Sequence, residues 1–128
     1  MSEVVLDASA LLALLNEEPG AEEVEKTIPG AVIGAVNLSE VVAKLAEGGM
    51  PEAAIQAALA GLELDVVPFD GPLAYRAGLL RVSTRSLFGL SFGDRACIAL
   101  GLQRGAPVLT TDRRWKELSL GVEIRAVR

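Results

Sequence analysis

The sequence contains no histidine. That absence removes Ser-His-Asp and Cys-His nucleophile systems, a ribonuclease mechanism built on a histidine pair, and most transition-metal sites. Cysteine occurs once, at Cys97 in an apolar stretch, so neither an internal disulfide nor a Cys/His zinc cluster is available. Lysine is confined to Lys26, Lys44 and Lys116. None follows a GxxxxGK[ST] loop and no GxGxxG occurs, which excludes both nucleotide-binding fingerprints. The aromatic residues are Phe69, Tyr75, Phe88, Phe92 and Trp115, too few for a base-stacking platform of the RRM or OB type. Trp115 is expected to pack against the sheet edge rather than stack on a base. No apolar run approaches the roughly 18 residues of a membrane helix, and the opening MSEVVLD has no charged n-region or cleavage site. A cytoplasmic protein with no membrane partner is therefore expected. What remains for chemistry is carboxylate, hydroxyl and guanidinium.

What is present is an apolar chain of common domain size. The 128 residues, 51% of them hydrophobic, suffice for one domain over 1–128 with one sizeable core. The net charge of −5 hides an asymmetry: residues 1–70 carry two lysines and thirteen acids, or −11, and residues 71–128 carry ten Lys/Arg and four acids, or +6. Such polarity points to different partners for different faces. Arg85, Arg95, Arg113 and Arg114 are the candidates for meeting a phosphate backbone; the alternative is that they are solvated helix ends.

The stretch LSFGDRACIALGLQRGAPVLTTD, residues 90–112, organises the chain. Ser91 is suited to cap a helix, Gly105 to end it in a left-handed conformation, and Pro107 to prevent its continuation into the short apolar strand 108–110. This helix has almost no polar face, so it is expected to be packed on most sides. Around it the pattern alternates: strand 3–6, helix 8–15, a short acidic helix 21–27, strand 31–36, and a helix opened by Asn37 with Glu40 as a capping box. A helix 51–60, a strand 64–69, a helix from Asp70 to about 82, a polar loop 83–89, a helical turn 113–118 and a last strand 122–127 complete it. Strands alternating with helices imply a three-layer α/β/α sandwich around a parallel sheet of four to five strands.

Four acids fall near strand ends or first helical turns: Asp7, Glu40, Asp94 and Asp112. In a doubly wound sheet those positions come together at the carboxyl edge, where ligands bind. Helix capping accounts equally for Asp7, and a solvated helix position for Glu40. Converging carboxylates repel one another, and a divalent cation removes that penalty. Hard oxygen ligands favour Mg2+ or Mn2+, which would orient a phosphodiester and activate water without any histidine.

The blocks VVLDASALLALL, NLSEVVAKL, LSFGDRACIALG and VLTTDRRW, in that order, resemble a PIN domain, and most closely the VapC toxin ribonucleases of type II toxin–antitoxin pairs. The likeness spans nearly the whole chain. It implies Asp7, Glu40, Asp94 and Asp112 as catalytic metal-binding acids, with Ser9 and Thr110 as supporting hydroxyls. It further implies Mg2+- or Mn2+-dependent endonucleolytic cutting of RNA, a homodimer, and an antitoxin whose C-terminal segment occupies the cleft. A PIN-fold RNA-processing nuclease without an antitoxin, and a non-catalytic protein-interaction module in which the acids are only caps, are the alternatives. A phosphotransfer domain fits less well, because the second Asp of a dehalogenase-like pattern is replaced by Ser9 and a receiver's lysine is missing.

Overall fold

A computed structural model of the chain describes residues 3–85 and 89–128. Met1, Ser2, Ser86, Leu87 and Phe88 lie outside the described residues, and with them the middle of the loop expected at 83–89. The first strand, β1 (Val4–Leu6), runs into α1 (Ala8–Leu15) and α2 (Ala21–Glu25); β2 (Ala31–Gly34) leads into α3 (Ala35–Glu47) and α4 (Glu52–Ala60). Then come β3 (Asp65–Val67), α5 (Gly71–Thr84), α6 (Phe92–Arg104), β4 (Val108–Thr110), a 3-10 turn (Arg113–Glu117) and β5 (Ile124–Ala126). All strand pairs are parallel, in the order β3-β2-β1-β4-β5. The expected parallel sheet therefore has five strands, sandwiched between helices.

Period-two alternation decides which side of the sheet each residue serves. Val5, Val32 and Val108 face α5 and α6, in a core that also takes Leu73, Ile98 and Trp115. Val4, Leu6, Ala31 and Ile33 face the other way, into a core with Leu11, Val24, Val41 and Ile55 from α1 to α4. Both faces are covered, as an all-apolar parallel strand requires. Trp115 is buried in the first core, as its size favours.

Strand order reverses between β1 and β4. Chain progression moves outward from β1 through β2 to β3, then returns to the other side of β1. The backbone at that seam is tied by Asp7 N–H donating to the Leu109 carbonyl at 2.9 Å. The carboxyl ends of β1 and β4 thus lie side by side at the switch point, the crevice where open α/β sheets bind ligands. No helix among the described residues is long and apolar enough to cross a membrane.

Two local expectations are corrected. The third helix starts at Ala35, directly off β2 with Gly34 in the capping position, so Asn37 is not its cap. In addition α5 continues through Thr84, whose hydroxyl donates to the Leu80 carbonyl at 2.7 Å, so the loop starts later than the polar composition implied.

Candidate functional site

Asp7 occupies the position between β1 and α1 where a helix cap sits, yet its side chain makes no capping bond. Its Oδ2 instead accepts from the Ser9 hydroxyl at 2.6 Å and the Thr110 hydroxyl at 2.9 Å. Those hydroxyls are themselves held: Ser9 Oγ accepts from Thr111 N–H at 3.1 Å and Thr110 Oγ1 from Asp112 N–H at 3.1 Å. Seen from the sequence, Ser9 and Thr110 are a helix residue and a strand residue more than a hundred positions apart; the β1–β4 seam makes them one cradle. Asp7 is buried, and no cation pairs with it among the described residues. Burial lifts its pKa from 3.8 to about 6, the two hydroxyls oppose the rise, and the charges of Asp94 and Glu40 add to it.

Glu40 and Asp94 thus lie within electrostatic reach of Asp7. Cys97, fully buried one helical turn after Asp94, has its thiol pushed well above the usual range by burial, with Asp7, Asp94 and Glu40 each adding to the effect. Asp94 is the third residue of α6 and half-buried. Its Oδ2 accepts from Ser91 N–H at 3.0 Å while its own N–H donates to Ser91 Oγ at 3.1 Å, a reciprocal capping box. The surrounding helix buries Ala96, Cys97, Ile98, Ala99 and Leu100, the packing on most sides that its composition predicts. The helix ends at Gly105 with φ +60, the expected left-handed cap.

Asp112 stands differently. Its two oxygens are taken by Arg114, Nε at 3.0 Å and Nη2 at 2.7 Å, and Arg114 N–H donates to the same carboxylate. That guanidinium holds the Asp112 carboxyl below its ordinary range. Arg114, expected from the sequence to meet a phosphate, is here the partner of Asp112. Each acid is committed to a local donor, and among the described residues no three His, Cys, Asp or Glu side chains are already arranged to hold a metal ion. Asp7, Glu40 and Asp94 are brought together; the Asp112 carboxylate is turned to Arg114. The donor set is all oxygen, with one buried carboxylate lacking a cation, which fits a hard divalent ion.

Of the basic candidates, Arg85 and Arg113 are exposed, and Arg113 Nε donates to the Arg128 carbonyl at 2.6 Å. Arg95, expected to face a phosphate, turns inward: Nη1 donates to the Ala77 carbonyl at 2.9 Å and the guanidinium lies 5.8 Å from the Phe92 ring centroid. It ties α6 to α5. An open cleft of about 460 Å³ begins at Ser9 and runs between α1 and α3 past Lys44, a cation not singled out from the sequence.

Residues 4–120 match the family model described as PIN domain. The chain belongs to the PIN-domain family. No curated protein sequence gives a significant match. Among solved structures, the chain is similar to the DNA-bound VapBC of Salmonella typhimurium, with 20% identity, complete coverage of both chains and a TM-score of 0.78. It is also similar to a toxin–antitoxin complex from Klebsiella pneumoniae, at 16% identity, 98% coverage of each chain and TM-score 0.77. A third is FitAcB from Neisseria gonorrhoeae, at 17% identity, 97% coverage of each chain and TM-score 0.70.

Two residues of this PIN domain next to the acids escaped the sequence reading. Asn37, buried on α3, donates through Nδ2 to Glu40 Oε1 at 2.9 Å and to the Gly93 carbonyl at 3.0 Å. Gly93, buried on α6, has the Glu40 carboxylate so close that a Cβ there would fall on it. The Asn37/Glu40 spacing was legible as a capping box; its actual use, a side-chain amide on a side-chain carboxylate, was not.

Proposed function

We propose that this PIN domain is an endoribonuclease that hydrolyses RNA phosphodiester bonds with a divalent cation, Mg2+ or Mn2+, and that it is the toxin of a toxin–antitoxin pair. The observation that carries the reading is the buried, unpaired Asp7 carboxylate at the switch point, with the charges of Glu40 and Asp94 around it. Asp7, Glu40 and Asp94 would hold the cation. Asp112 would join them on exchanging Arg114 for it. When bound, the ion supplies the positive charge that orients a phosphodiester and lowers the pKa of water.

The chain's own residues do the rest. Ser9 and Thr110 fix the Asp7 carboxylate through one oxygen and leave the other for a ligand. The Ser91 capping box fixes the start of α6 and with it the height of Asp94. Arg85, Arg113 and Arg114 would bind phosphates flanking the scissile one. The similarity to VapBC and other toxin–antitoxin complexes supports an antitoxin partner; a homodimer acting in the cytoplasm is part of the same proposal. A separate RNA-processing role remains the alternative within the same chemistry.

Asp94→Asn tests this. It keeps a hydrogen-bonding group at the third position of α6 and removes one charge from the cluster. Mn2+-dependent cleavage of RNA should fall at least about a hundredfold, as loss of a metal-holding group removes on the order of 3 kcal/mol of transition-state stabilisation. Melting without metal should stay the same or rise. Undiminished cleavage by the variant would reject the site.

A further inference from the structure

Glu40 alone among the four acids is held by a side-chain amide, and that amide is costly to keep where it is. Asn37 is 1% exposed, and its Oδ1 has no hydrogen-bond partner among the described residues. A buried carbonyl oxygen without a partner is a net cost, which an apolar side chain at this position would avoid. The amide orientation is dictated by its neighbours. Glu40 Oε1 and the Gly93 carbonyl are both acceptors, so only the two hydrogens of Nδ2 can face them.

Gly93 presents the matching half. It is the second residue of α6, and its φ is not in the positive range that demands glycine. Space is the reason: the Glu40 carboxyl carbon and both oxygens occupy the volume a side chain would need. One residue donates to the carboxylate, and the other leaves room for it beside Asp94. The Asn37–Gly93 hydrogen bond joins α3 to α6 beside the Glu40 carboxylate.

We propose that Asn37 and Gly93 are positioning residues for metal binding: the Asn37 amide aims the Glu40 carboxylate, and the missing Gly93 side chain admits it, so that Glu40 faces the hollow shared with Asp7 and Asp94. This rests on the metal-dependent reading above. Residues that orient a ligand from behind typically contribute ten- to hundredfold to metal affinity.

The test is Mn2+ binding to the full chain without RNA, followed by the electron paramagnetic resonance of free Mn2+. Asn37→Ala and Gly93→Ala are measured in the natural background and again in Glu40→Ala. In the natural background each should weaken Mn2+ binding about tenfold or more. With Glu40→Ala, which itself weakens binding, neither should change affinity further, because both act through the carboxylate already removed. The atoms that Gly93→Ala would meet are the far end of the flexible Glu40 side chain, which can swing aside, so the variant should fold with the carboxylate displaced; should it not fold, Asn37→Ala carries the affinity comparison alone. Equal losses in both backgrounds, or no loss in the natural one, overturn the proposal. So does an unchanged Mn2+ affinity in Glu40→Ala, while leaving a site built on Asp7 and Asp94 intact. Absence of Mn2+ binding by the natural protein overturns the metal-dependent reading and this inference with it.

Discussion

At the scale of the residue, Asp7 makes stability and function pull in opposite directions. Its pKa rises from 3.8 to about 6, chiefly because burial disfavours the charged form. Between those values the folded chain holds a proton that the unfolded chain has lost, so stability must fall as pH rises through that window. The full effect corresponds to on the order of 3 kcal/mol, present below about pH 4 and gone above about pH 6. Asp7→Asn removes the titration and keeps an acceptor for Ser9 and Thr110. In chelator-treated protein, urea melts should show the variant more stable by about 1–3 kcal/mol at pH 7, with the gap closing toward pH 4. A gap that does not vary with pH would mean that Asp7 is ionised at no cost. Cleavage by the variant should be lost at every pH, since the acid that folding disfavours is the one the chemistry needs.

At the scale of the element, the start of α6 serves two purposes. Asp94 closes the capping box with one carboxylate oxygen and joins the acid cluster from the same side chain. Ser91→Ala removes the acceptor for Asp94 N–H and should cost about 1 kcal/mol, read as a fall of several degrees in melting temperature. Cleavage should persist within a few-fold at temperatures where the variant is folded. Loss of activity as complete as in Asp94→Asn, without loss of stability, would show that Ser91 belongs to the chemistry and not only to the helix. This element was legible in the sequence because its signals are local: a cap at Ser91, an all-apolar body, Gly105 and Pro107. The same holds for β1 and β4, whose ends locate Asp7, Thr110 and Asp112. The start of α3 was misread because Asn37 and Glu40 fit a local motif, whereas the energetics that fix them come from Gly93, 56 positions away. Arg95 shows the same limit. Its charge suggested a phosphate, and only the packing of α5 on α6 shows its guanidinium on the Ala77 carbonyl. Asp112 and Arg114 were both visible, but their bidentate pairing depends on Asp112 capping the 3-10 turn, where its carboxylate accepts from the backbone N–H and the guanidinium of Arg114 together.

At the scale of the whole molecule, the charge asymmetry becomes a spatial one. The sheet separates α1–α4, which belong to the −11 half of the sequence, from α5 and α6, which belong to the +6 half. Strand order brings β1 of the first half against β4 of the second, so the acids lie on the seam, with Asp7 and Glu40 from one side and Asp94 and Asp112 from the other. A polyanion would then approach over the basic side and present a phosphate at the acidic seam. Binding of this kind releases counterions, and for single strands the logarithm of affinity falls with the logarithm of salt by about 0.7 per phosphate contacted. RNA binding by the cleavage-deficient Asp94→Asn protein, measured by fluorescence anisotropy between low and physiological salt, should therefore weaken steeply. Arg85→Ala and Arg113→Ala should each reduce the slope by roughly 0.7 if they contact phosphate. Arg95→Ala should leave the slope unchanged and lower the melting temperature, because its guanidinium is spent between helices. A slope indistinguishable from zero would remove the arginines from RNA binding.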